Sequence, residues 1–262
     1  MHLFRLLVPT VSLIALCSQA FAQAAAPAPA ATVTKADIPA LVKESIMNDP
    51  EMIMQALEKL RAQKAEQAKK DAAQALEKNR AAIFNNQDVP ATGASAADAD
   101  VTIAEFFDYH CGYCKHFLPE LSKVLESDKK LRVLLIDFPI LSEDSVLAAR
   151  AAIAANRIDK SKYFAFHTAL MKESGKYDEK TIMAVAKKVG INTAALKAEM
   201  AKPELTSVLD AHRAFATELG IQGTPALIVG NEVIPGALKA EELQKAIANA
   251  RAGKAAAAPA AK

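Results

Sequence analysis

Apolar and polar positions along the chain fall into two periods. In "DIPALVKESIM" the residues Ile38, Leu41, Val42 and Ile46 recur at helical spacing, and "NDPE" then offers Asp49 as a cap and Pro50 as a first helical residue. A long second helix comes next, with Met52, Ile53, Ala56, Leu57 and Leu60 on one face, running into the strong helix formers of "RAQKAEQAKKDAAQALEKNRAAIF". Ile46, Ile53 and Leu60 stand seven apart like a coiled-coil seam, but the next positions in that register are Gln67 and Gln74, so the seam fades. The pattern then lapses over "NNQDVPATGASAADAD", residues 85–100, which is polar, small-residued and aperiodic, and reads as a flexible linker.

Beyond the linker, "VTIAEFF" and "LRVLLIDFPIL" are continuous apolar runs of the kind found in buried strands, separated by a helical segment that opens at "CGYC". From Ser142 to about Leu219 every periodic segment is helical. "TPALIVG" and "EVIPG" predict a hairpin around Gly230-Asn231, and "KAEELQKAIANARAG" a closing helix. Strand, helix, strand, helical block, hairpin and helix make an α/β pattern with a helical insertion at about 142–205.

The ends alter this picture. Arg5, the apolar "LLVPTVSLIALC" and the "AFA" before Gln23 read as a secretory signal, with cleavage expected near Ala22; the short apolar stretch leaves an uncleaved anchor as the alternative, ahead of a lipoprotein site at Cys17, where Leu16 is bulky. The Ala/Pro-rich stretch 23–34 predicts a disordered leader and 252–262 a disordered tail. The expected division is therefore a signal peptide 1–22, leader 23–34, helical arm 35–84, linker 85–100, catalytic domain 101–251 and tail 252–262. With 32 Lys and Arg against 30 Asp and Glu, charge gives no reason to expect nucleic acid as a partner. The arm's narrow apolar stripe needs a cover, either other copies of the chain or the catalytic domain itself.

Signal cleavage removes Cys17 and leaves Cys111 and Cys114. A bridge between them closes too small a loop to constrain the unfolded chain, so the pair is better read as a reagent than as a staple. The start of a helix stabilises an anion through unpaired backbone N–H groups, which makes Cys111 the expected nucleophile and Cys114, one turn on, the resolving thiol. His110 stands directly before the nucleophile and adds positive charge when protonated. A structural zinc site takes four ligands, and no second cysteine pair is present, so no metal is required. Transient copper(I) binding by Cys111 and Cys114 is chemically allowed, because two soft thiolates suffice. His116, His167 and His212, the methionines of "SIMNDPEMIMQ" and the lysines from Lys59 to Lys78 read as ordinary helix residues.

"EFFDYHCGYCKHFLPEL" together with "GIQGTPALIVG" resembles the thioredoxin-fold DsbA-like superfamily over about residues 98–251. The resemblance implies a thioredoxin fold with an inserted helical domain, here preceded by an α-helical arm. It also implies a cis Pro225 facing the cysteine pair, and a Thr224 backbone that pairs with an extended substrate segment. It places Glu105, six residues before Cys111, beneath the active site, where a poorly solvated carboxylate could take the proton of Cys114. Pro119 falls inside the active-site helix, where the fold often has proline. Gly112-Tyr113 between the cysteines and Thr224 before the proline are similar to isomerase and reductase members, and the helical arm to ScsC-type proteins (suppressor of copper sensitivity), some of which are trimers. The resemblance therefore implies a periplasmic disulfide isomerase without cofactor that acts on misoxidised exported proteins. It would be kept reduced by a DsbD-type membrane reductase and form a homo-oligomer, a trimer rather than a dimer. The alternatives are a DsbA-type oxidase served by a DsbB-type partner, and a copper(I)-binding envelope protein with secondary redox activity.

Overall fold

The computed structural model describes residues 34–86 and 89–257, the side chains as far as Gly253. The expected signal peptide, almost all of the leader, Gln87-Asp88 and residues 258–262 lie outside them. The chain divides into two compact units after Ala56. In the first, α1 (Ile38–Asn48) has no buried residue, and α2 (Glu51–Phe84) begins; Ile38, Leu41, Val42, Met47 and Ile53 are all exposed.

The second unit is built on one five-stranded sheet in the order β1-β3-β2-β4-β5, formed by β1 (Ala91–Gly93), β2 (Val101–Phe107), β3 (Leu131–Asp137), β4 (Ala226–Val229) and β5 (Glu232–Pro235). β2 and β3 are parallel and all other pairs antiparallel. The apolar runs of β2 and β3 have the cause expected of them, because both faces of these strands are covered. Val101, Ile103, Phe107, Leu131, Val133 and Leu135 belong to a core with α3 (Gly112–Ser127), α9 (Ala240–Ala257) and the inserted helices α4 (Glu143–Ile158), α5 (Lys160–Met171), α6 (Glu179–Lys188) and α7 (Thr193–Met200). Ala104, Phe106, Leu134, Ile136, Ala226 and Ile228 face the other way, onto the last turns of α2 and of α8 (Glu204–Glu218). Ser142, Asp159, Asp178 and Asn192 cap α4, α5, α6 and α7 through their side chains, which sets the inserted helices off from one another.

Three sequence expectations need correction. The stretch expected to be a flexible linker contains an edge strand: Ala91, Thr92 and Gly93 pair with Leu134, Val133 and Arg132, and Val89 is buried. Gly93 has φ +85° and a Cβ there would collide with the Leu131 carbonyl oxygen, so glycine is what lets the strand lie this close. The arm is not separate from the sheet along its whole length either. Leu76 and Ile83 of α2 are fully buried, and Arg80 Nη2 donates to Gly230 O (2.9 Å) in the β4–β5 turn, while Leu57 and Leu60 of the same helix are exposed. The sequence thus offered two covers for one stripe, and within this unit the catalytic domain covers only its C-terminal end. Finally, α9 runs to Ala257, into the span expected as a tail, because alanine favours helix once a helix is under way.

Candidate functional site

The cysteine pair sits where β2 ends and α3 begins. Cys111 is the N-cap residue of α3, with extended φ −71° and ψ 113°, and its backbone N–H donates to Asp108 O at 3.0 Å. Both thiols are free and buried, Cys114 completely, while Gly112 and Tyr113 between them are exposed, Tyr113 to 71%.

The Thr224–Pro225 peptide is cis, and Cys111 Sγ donates to Thr224 O at 3.2 Å. Pro225 precedes β4, whose Ala226, Leu227 and Ile228 pair with Phe106, Glu105 and Ala104 of β2, so adjacent antiparallel strands deliver the proline loop and the cysteines to one point. Thr224 O thus faces the Cys111 sulfur.

Glu105 lies on β2 at the centre of the sheet, 3% exposed, and burial pushes its carboxyl up from 4.5 to about 8. Burial first, then the nearby Glu105, pushes the Cys114 thiol far above its ordinary value. A carboxyl that ionises around pH 8 thus lies near a thiol that resists ionisation, and only its ionised fraction can accept a proton. His110 presents Nε2 at 4.0 Å from Asp144 Oδ2, and its ring meets that of Tyr177 edge to face with centroids 4.7 Å apart. Among the described residues no group of three or more His, Cys, Asp or Glu could hold a metal ion, so copper(I) would have to rely on the two thiols.

Other residues escaped the sequence reading. Asp108, 1% exposed, is the knot of the site: Oδ1 accepts from His110 N and Ser145 Oγ, both at 2.7 Å, and Oδ2 from Ile140 N (2.9 Å) and Leu141 N (3.0 Å). It ties the cysteine turn to the loop after β3 and to the first turn of α4. Its place in "FFDYHC" gave the signal, a short acceptor in the turn before a helix. Asp137 ends β3 fully buried, with neither carboxylate oxygen hydrogen-bonded among the described residues, and burial pushes its carboxyl well up. His167 and His212 are the helix residues they were read as, and both are buried. His167 Nδ1 pairs with Tyr109 OH at 3.0 Å, burial pulling the imidazole down to about 3, and His212 Nδ1 meets Asp137 O at 3.0 Å. His116 is exposed, as are Lys59, Lys64, Lys69, Lys70 and Lys78.

Comparison with known proteins agrees with this geometry. The profile of the DSBA-like thioredoxin domain matches residues 102–248, and that of the copper resistance protein ScsC N-terminal domain matches residues 35–67. A thioredoxin-like oxidoreductase of Silicibacter pomeroyi is 39% identical, with a TM-score of 0.62 over 66% of this chain and 98% of its own. A linker-deletion mutant of Proteus mirabilis ScsC is 26% identical, with a TM-score of 0.64 over 87% of this chain and 100% of its own. A periplasmic thioredoxin-like protein of Salmonella enterica serovar Typhimurium is 31% identical, with a TM-score of 0.61 over 66% of this chain and 95% of its own. The motif, the proline loop and the helical insertion all fall within the first profile, and the arm as far as residue 67 within the second. On both counts the chain belongs to the DsbA-like thioredoxin-domain family, as a thiol–disulfide oxidoreductase of the DsbA/ScsC type.

Proposed function

We propose that the protein is a periplasmic disulfide isomerase and reductase that works as a homo-oligomer, a trimer rather than a dimer. The observation that carries this reading is the exposed apolar stripe of the arm, Ile38, Leu41, Val42, Ile53, Leu57 and Leu60, in a segment that matches the ScsC N-terminal domain. Such a stripe favours burial against further copies. Thr224 before the proline and Gly112-Tyr113 between the cysteines support the isomerase direction by their resemblance to isomerase and reductase members. The secretory signal expected at the N-terminus and the periplasmic relative support the compartment, and among the described residues no helix is long and apolar enough to cross a membrane.

In the mechanism, the Cys111 thiolate attacks one sulfur of a wrong disulfide. A mixed disulfide forms, the substrate's S–S bond breaks and the other substrate sulfur leaves as thiolate. Thr224 O and the backbone beside it hold the substrate segment as an added strand. The released thiolate then attacks another substrate disulfide, and its rearranged successor displaces Cys111, so that no electrons are gained or lost. When no such partner is in reach, Cys114 attacks Cys111 Sγ, its proton passes to the Glu105 carboxylate, and the substrate leaves as a dithiol. The two electrons now missing from the Cys111–Cys114 pair come from a membrane thiol reductase of DsbD type. Asp108 holds the turn in place throughout.

Recovery of activity by scrambled, fully oxidised ribonuclease A in a glutathione buffer tests the proposal. Catalytic amounts of the mature protein restore activity, Cys111→Ser abolishes the effect, and removal of residues 23–70 gives a monomer by light scattering with little isomerase activity left. Negligible recovery together with rapid oxidation of a dithiol peptide would favour a DsbA-type oxidase served by a DsbB-type partner. Copper(I) titration of the reduced protein, with and without Cys111→Ser, decides whether binding by Cys111 and Cys114 outcompetes a modest chelator.

A further inference from the structure

Tyr177 lies between α5 and α6 in the helical insertion, far along the chain from the cysteines, and is fully buried. Its hydroxyl donates to Tyr109 O at 2.8 Å, with Leu170 O at 3.1 Å and Glu173 O at 3.3 Å sharing the same proton. One phenol therefore ties the strand-to-helix turn to the end of α5 and the segment after it. Its ring serves a second purpose. The His110 imidazole meets it edge to face, centroids 4.7 Å apart and planes at 83°, and Lys115 Nζ lies 5.5 Å from its centroid, within cation–π reach. Lys115 Nζ also donates to Glu173 O, the carbonyl that the phenol shares. His110 immediately precedes Cys111 and Lys115 immediately follows Cys114. The two basic side chains that bracket the CGYC motif are thus held by one aromatic ring.

We propose that Tyr177 is a positioning residue of the active site, which fixes His110 and Lys115, the chain neighbours of the two cysteines, and thereby sets how readily the disulfide is reduced. The physical reason is differential stabilisation. Positive charge at fixed positions near the cysteines favours the thiolate that reduction creates, and does little for the uncharged disulfide. Lys115 is partly buried, which limits the screening of its charge by solvent. Without the ring the ammonium moves into water and the imidazole loses its fixed orientation, so the reduced form loses that advantage. Glu173 and Asp108 near Lys115 and Asp144 near His110 are the carboxylates that face these groups, and all three stay in place in every variant tested. The inference rests on the thiol–disulfide exchange reading of the site and is indifferent to whether the enzyme isomerises or oxidises.

The test is equilibration of the full mature protein with glutathione at pH 7. In this reaction two glutathione thiols give two electrons to the Cys111–Cys114 bond, one glutathione disulfide forms, and their two protons pass to the new cysteine thiols or to buffer. Tyr177→Leu is expected to lower the equilibrium constant for reduction about three- to tenfold. His110→Gln/Lys115→Met lowers it comparably, and Tyr177→Leu added to that pair changes it by less than about twofold. A merely structural tyrosine would shift the melting temperature without this non-additivity. If Tyr177→Leu does not fold, Tyr177→Phe keeps the ring and is expected to stay within about twofold of wild type while the double variant still falls. An unchanged constant in the double variant, or an equal drop on adding Tyr177→Leu to it, overturns the proposal alone. Failure of the wild type to exchange with glutathione at all overturns the exchange reading beneath it.

Discussion

Replacing Glu105 with glutamine keeps the shape of a completely buried side chain and removes only its ability to ionise. In the folded protein the carboxyl holds its proton up to about pH 8, against 4.5 for the free group, because burial penalises the charge. Between these values the unfolded chain has released a proton that the folded chain retains, so the folded state binds more protons and its stability falls as pH rises. At about 1.4 kcal/mol for each unit, the full penalty is about 5 kcal/mol, absent below pH 4.5 and complete above pH 8. Glutamine cannot titrate, so the variant lacks this slope. Urea unfolding of the reduced protein at pH 5, 6, 7 and 8 gives the measurement. The advantage of Glu105→Gln over wild type should grow by about 3–4 kcal/mol across the series, whatever constant offset the amide introduces. Cys114 contributes little to this difference, since a thiol pushed up from 9.0 is protonated in both states throughout. Parallel pH profiles for the two proteins would refute the reasoning, because Glu105 would then be ionised in the fold or relieved by a partner. With that premise upheld, the same substitution should slow the attack of Cys114 on a mixed disulfide about a hundredfold at pH 7, read by stopped-flow release of a labelled peptide.

Other outcomes come from the packing. Ile83→Ala should cost about 2–5 kcal/mol in chemical unfolding, since this α2 residue is completely buried on the sheet, whereas Leu60→Ala in the exposed stretch should leave the folding of the catalytic domain within about 0.5 kcal/mol of wild type. Asp108→Ala strands four donors, Asp108→Asn only part of them, so the alanine variant should lose about 3 kcal/mol or more and the asparagine variant clearly less, both read by urea unfolding. Gly93→Ala drives a Cβ into the Leu131 carbonyl oxygen at φ +85° and should destabilise by about 1–3 kcal/mol; a neutral result by thermal melting would mean that β1 can leave the sheet at little cost. The neutral His167, drawn down from 6.5 to about 3, penalises folding on the acid side, so wild-type stability should decline as pH falls below 6.5, and His167→Gln should flatten that decline.

The residues to which the proposed mechanism gives chemistry stand out in the sequence because their signals are local. A CxxC at a strand-to-helix junction, a Thr-Pro ahead of an apolar tetrapeptide and a glutamate inside an otherwise apolar strand each fit within a few positions of the chain. The apolar runs of β2 and β3 declared themselves by burial on both faces. β1 did not, since three residues of Ala, Thr and Gly show no period, and their pairing is decided by the edge of β3 and the missing Cβ of Gly93. Asp137, His167 and Tyr177 were illegible for a different reason. None stands out in its own segment's pattern, and only the folding of the insertion over the sheet gives Tyr177 its carbonyl acceptors and takes water away from Asp137 and His167. The split role of α2 was hidden for the same reason, because the apolar face was followed only as far as Leu60 and the buried Leu76 and Ile83 lie beyond the point where the seven-residue register fades.

That split role bears on how the protein can be dissected or re-engineered. A cut at the end of the helix, near Phe84, would strip the lid from Phe106, Leu134, Ile136 and Ile228 and leave a greasy plane open to self-adhesion, so a precipitate from such a fragment would say nothing about assembly. A cut between Leu60 and Leu76 spares the lid and removes the exposed stretch that carries Leu57 and Leu60. Any transplant of the arm onto another catalytic domain has to carry those last turns, or supply a substitute roof for the sheet.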